Sequence, residues 1–66
     1  MTLGERVKLR RKELGMSQEE LALKAGYASR TSVNKIELGK QNPPVSVIPA
    51  LAAALHTTPA QLMGWD

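Results

Sequence analysis

Apolar residues recur at spacings of three and four through most of this chain, with polar runs between them. That period belongs to helices, and no stretch alternates as a half-buried strand would. Leu3, Val7 and Leu14 form a first stripe, and Leu21, Ala22 and Ala25 a second. Val33 and Ile36 form a third, Leu51, Ala52 and Leu55 a fourth, and Leu62 and Met63 a short fifth. Leu9 and Leu23 lie off these stripes and are expected on the surface.

The residues between the stripes supply boundaries. Thr2 with Glu5 and Ser17 with Glu20 have the spacing of capping boxes, in which a hydroxyl and a carboxylate satisfy free N–H groups at a helix start. The first helix is predicted to run to about Leu14 and stop at Gly15, and the second to run from Ser17 to Gly26. Ser29 stands where it can cap a third helix over 30–38, stopped by Gly39. The segment "KQNPPV" breaks the pattern, because each proline disfavours helix for the residue before it. Ser46 is then placed to cap a fourth helix, with Pro49 in the first turn, where a missing N–H does little harm. Thr58, Pro59 and Gln61 combine a cap, a proline at the first helical position and a closing amide for a fifth. Gly64 ends it beside Trp65. The expectation is an all-α, compact five-helix bundle forming a single domain over 1–66.

Size and composition narrow the chemistry. A 66-residue chain buries only about 60% of its unfolded surface, so its stability is modest. It has no Cys, which removes disulfides and thiolate metal sites. The net charge is +3, but it is unevenly placed. Residues 1–40 carry all nine cations against five acids, and residues 41–66 hold only Asp66. A basic half backed by a nearly uncharged, apolar half suits a polyanion. There is no apolar run long enough for a signal h-region or a membrane span, so a cytoplasmic protein without membrane contact is expected.

Catalysis finds no equipment. The lone Asp is terminal and His56 has no carboxylate near it in sequence. The serines are explained as caps, and His56 as a turn residue at a helix C-terminus. The glycines are scattered helix stops that build no phosphate loop. We expect no enzyme, no cofactor, no metal and no small-molecule substrate.

What remains is "SQEELALKAGYASRTSVNKIELGK". It joins a small-sided helix, a glycine turn and a second helix that is apolar on one side only. Ala residues let two helices cross closely, and a one-sided second helix leaves a polar face free to enter a groove. With "GERVKLRRKELGMSQEELA" before it and "LAAALHTTPAQLMGW" after, the chain resembles the lambda-repressor-like, Cro/C1-type helix-turn-helix family, the DNA-binding domains of phage repressors and small bacterial regulators. The resemblance spans nearly the whole chain. It departs at Tyr27, Ala28 and Ser29, which make the turn one residue longer than the family pattern; Tyr27 is expected to pack half-buried there.

The resemblance implies double-stranded DNA as partner, bound by a homodimer at a near-palindromic operator, with nucleoid association when bound. It places the third helix in the major groove, with Arg30, Thr31, Lys35 and Asn34 reading bases. Arg and Lys suit guanine acceptors, and the Thr methyl suits the thymine methyl. Gln18, Ser29, Lys40, Asn42 and Arg11 would hold phosphates, with the Gln18 amide and the free N–H groups of the second helix gripping one. Arg11 and Glu37 occupy positions that form an internal ion pair in the family. Arg6 and Arg10 could reach flanking phosphates, with plain solvated surface as the equal alternative. Leu62, Met63 and Trp65 are possible dimer contacts. An antitoxin-like or protein-interaction module on the same fold is the rival reading; the free cations Arg30, Lys35 and Lys40 count against a module that has lost DNA.

Overall fold

The computed structural model describes Met1–Trp65 as five α-helices and one 3-10 turn, with no strand among the described residues. The helices are α1 (Leu3–Glu13), α2 (Gln18–Ala25), α3 (Arg30–Glu37), α4 (Ile48–Ala54) and α5 (Pro59–Met63). The 3-10 turn, Val45–Val47, leads into α4. None of these helices is long and apolar enough to cross a membrane.

Three of the expected caps form. Thr2 Oγ1 accepts from the Glu5 N–H at 3.2 Å while Glu5 Oε1 accepts from the Thr2 N–H at 2.8 Å, so α1 opens on a complete box. The Thr2 N–H, and after it the Thr2 side chain, hold the Glu5 carboxyl below its ordinary value. Ser17 caps α2 through the Glu20 N–H, and Thr58 caps α5 through the Gln61 N–H. Neither box is reciprocal: Glu20 pairs with Lys24, and Gln61 Oε1 accepts from the Thr57 hydroxyl instead.

Two expected caps do not form. Ser29 has the extended backbone of an N-cap, but its hydroxyl makes no cap bond. Ser46 lies inside the 3-10 turn rather than ahead of α4, because Pro44 already sets the entry with a fixed φ. The third helix ends one residue earlier than expected, at Glu37, with Leu38 as its C-cap.

All five helices close in one way. Beyond each end a residue in left-handed conformation donates its N–H to a carbonyl three residues back, and the next residue donates five back. Four of these residues are glycines and the fifth is His56, with φ 54. After α4, His56 N–H bonds Ala53 O at 3.1 Å and Thr57 N–H bonds Ala52 O at 3.0 Å. A side chain with a Cβ is strained there by about 1–2 kcal/mol, partly offset by the unfolded-chain entropy that glycine carries. His56→Gly should therefore stabilise the domain by about 0.5–1 kcal/mol. Urea titration of the two proteins measures it; a lowered midpoint would contradict the account.

The core joins Val7, Met16, Leu21, Ala22, Val33, Ile36, Leu51, Ala52, Leu55 and Leu62, with Leu3 and Tyr27 packed at its edge. Every stripe predicted from periodicity contributes. Leu14 does not: it is the C-cap of α1 and 36% exposed, where the chain turns, whereas Met16 just beyond is buried in the core. Leu9 and Leu23 are exposed as expected.

The cations of α1 are not equivalent. Arg10 donates to Leu55 O at 2.8 Å and His56 O at 3.0 Å, tying α1 to the end of α4. The Arg6 guanidinium lies against Gly64. Flanking phosphates or solvated surface were open to both; here Arg10 satisfies one helix end and Arg6 covers another.

Candidate nucleic-acid interface

Helix α3 is held by one side only. Val33 and Ile36 are 0% and 2% exposed, while Arg30, Thr31, Asn34 and Lys35 are all exposed. The two groups alternate at helical spacing, so burying the apolar pair against α1 and α2 forces the four polar side chains outward. Three of the four predicted base readers, Arg30, Thr31 and Asn34, line an open cleft of about 370 Å³ together with Gln18 from the start of α2. Lys35 is exposed on the same helix outside that cleft. Lys40 and Asn42 are exposed in the segment after α3. Among the described residues, Arg30, Lys35 and Lys40 have no carboxylate in ion-pair range.

The opposite end of α3 is anchored by charge. Glu37 is buried and receives Arg11 through two bonds, Nε to Oε2 at 2.7 Å and Nη2 to Oε1 at 3.1 Å. Arg11 Nη1 also donates to Met16 O at 2.8 Å. The predicted ion pair is therefore present, two-pronged and inside the molecule. Three of the five donors on Arg11 are committed within the fold, leaving only an edge for a phosphate.

Gln18 behaves differently from expectation. Its Nε2 donates to Glu37 Oε1 at 3.1 Å and to Asn34 Oδ1 at 3.2 Å. Both amide hydrogens are engaged, so a phosphate here would meet the free backbone N–H groups of α2 rather than the amide. Ser29 moves the other way. Having no cap bond, its hydroxyl is free at the start of α3.

The turn between α2 and α3 carries Tyr27. Its ring packs against the core, and its hydroxyl is buried without a hydrogen-bond partner. Desolvation raises the phenol above its ordinary value. Half-burial was expected; the orphaned hydroxyl was not, and no sequence signal announces it.

A second surface is apolar. Val45, Ile48, Pro49, Pro59, Met63 and Trp65 line a groove of about 280 Å³, and Trp65 is 75% exposed. Met63 and Trp65 were expected on such a surface. Leu62, the other possible contact, is 2% exposed and belongs to the core, as its place in the fifth stripe predicts. The run "PPVSVIP", apolar apart from one Ser, was the overlooked sign of the remaining members.

A family model described as helix-turn-helix matches residues 7–62. The chain is 39% identical over 64 residues to the immunity repressor protein of Bacillus phage phi105, covering 97% of this chain. It spans 44% of the length of that relative. Among solved structures it is similar to the P22 c2 repressor in complex with a synthetic operator, with a TM-score of 0.91 and 30% identity over 100% of this chain and 98% of that one. It is also similar to the restriction-modification controller protein C.AhdI from Aeromonas hydrophila, with a TM-score of 0.85 and 37% identity over 91% and 89%.

Proposed function

Because the chain belongs to the Cro/C1-type helix-turn-helix family, we propose that it is a sequence-specific DNA-binding transcriptional regulator of the phage-repressor kind. The observation that carries the reading is the two-sidedness of α3: a buried apolar pair on one face and Arg30, Thr31, Asn34 and Lys35 on the other. A rod so divided fits the major groove, where an α-helix can present side chains to base edges. Arg30, Thr31, Asn34 and Lys35 read bases. Lys40, Asn42, Ser29 and the N-terminus of α2 hold phosphates, which position the helix without specifying sequence.

The protein acts as a homodimer, and the groove around Met63 and Trp65 supports a second copy as its occupant. An exposed Trp in an apolar rim is the kind of residue that anchors an interface. Two-fold pairing sets two copies of α3 about 34–36 Å apart, one turn of duplex, and requires a near-palindromic operator. Such a regulator works in the cytoplasm, on the nucleoid when bound.

Selection of bound sequences from random duplex DNA, followed by affinity measurements against salt, tests this. The protein should enrich a symmetric motif and weaken steeply as salt rises, because bound cations release counterions from DNA. Lys40→Ala should weaken all duplexes alike and reduce the salt slope by about one. Arg30→Ala combined with Lys35→Ala should erase positions of the motif. An unchanged motif in that double variant, or binding indifferent to salt, rejects the assignment of the reading face.

A further inference from the structure

We infer that Gln18 is a positioning residue for base reading: it fixes the amide of Asn34 so that position 34 offers DNA hydrogen-bond donors. The inference rests on the DNA-binding reading above and adds a specificity determinant to it. A chain of side chains that begins in the core fixes where each hydrogen goes.

Arg11 carries only donors, so its two bonds to Glu37 require a carboxylate that accepts. Glu37 Oε1, an acceptor, can face Gln18 only where Gln18 presents nitrogen, at 3.1 Å. The same Nε2 has one hydrogen left, and it points at Asn34, which must answer with its oxygen, at 3.2 Å. The amide of Asn34 therefore cannot turn over without losing that bond. Its Oδ1 is partly occupied, while its Nδ2 has no partner among the described residues and keeps both hydrogens. A buried ion pair thus sets the polarity of an exposed side chain on the reading face.

The consequence is a preference. Guanine offers two acceptors in the major groove, N7 and O6, whereas cytosine offers the N4 amino donor. A side chain held with its donors free favours the acceptor edge and disfavours cytosine. An untethered Asn has no such bias, since either end can face the base.

Selection from random duplexes with three variants decides it. Asn34→Ala identifies the motif position by flattening it. Gln18→Met, of similar length but without donors, should flatten that same position, from a preference of about fivefold to less than twofold, and leave the positions read by Arg30 and Lys35 intact. Gln18→Ala removes the same donors with a smaller side chain and should flatten that position likewise. It keeps the test open if Gln18→Met fails to fold, which thermal melts report. If Gln18→Met weakens every duplex equally and leaves the motif whole, Gln18 is a phosphate holder alone and the inference is overturned. A wild-type protein that enriches no motif overturns the DNA-binding reading itself.

Discussion

Glu37→Ala should unfold most of the protein at room temperature. The substitution leaves the Arg11 guanidinium inside the molecule without its carboxylate, and breaking a buried pair from one side costs about 3–5 kcal/mol. A core this small rarely supplies more than about 3–5 kcal/mol in all. The two figures nearly cancel, so the folded fraction should collapse. The bonds at stake join α1 to the end of α3, and through Gln18 they also reach the start of α2. Replacing both partners should be far milder, because a packed apolar pair needs no compensation for a stranded charge. Arg11→Met with Glu37→Leu should recover most of the loss, although Met16 O and Gln18 Nε2 each lose a partner. Urea unfolding of the two single variants and the double, followed by far-UV circular dichroism, measures this as a coupling energy. A Glu37→Ala protein within about 1 kcal/mol of wild type would mean that the pair behaves as a surface bridge despite its burial.

The second large effect comes from a residue with no side chain. Gly4 lies in α1 where that helix meets α3. A Cβ there would overlap the carbonyl oxygen of Ile36 and stand 3.0 Å from that of Glu37. Both obstacles are backbone, and the Ile36 carbonyl already accepts the Gly39 N–H at 3.1 Å, so neither can swing aside as a side chain would. In an exposed helix, Gly→Ala would stabilise by about 1 kcal/mol. Here overpacking opposes it with a cost of about 1–3 kcal/mol or more. Gly4→Ala should therefore lower the melting temperature by several degrees, at about 4–8 °C per kcal/mol for a domain of this size. It should also weaken DNA binding in the protein that stays folded, because the readers on α3 must move with its backbone. A raised melting temperature would show that α1 and α3 can separate freely at this crossing.

These two sites show why local and distant information part company. Thr2, Ser17 and Thr58 were readable as caps because each bonds an N–H three residues on, a distance the chain itself fixes. Ser29 also carries a hydroxyl at an N-cap position, yet it makes no cap bond. Sequence spacing does not report which way a turn aims its side chains. Stripes were readable because helical period forces Val33 and Ile36 to one side and Arg30, Thr31, Asn34 and Lys35 to the other. Leu14 failed at a boundary, where period stops applying and the chain's direction decides burial.

The amino-acid order by itself determined five helices, their stops, their buried sides and a two-sided third helix, because all of these depend on residues within about one or two turns of each other. The ion pair of Arg11 with Glu37 came from the family resemblance, since no local rule joins residues 26 apart. Only the tertiary structure decided that Arg10 closes α4, that Gln18 bonds both Glu37 and Asn34, that Gly4 admits α3, and that Trp65 stays out. Each of these depends on where one helix meets another, and such crossings are set by the packing of the whole core.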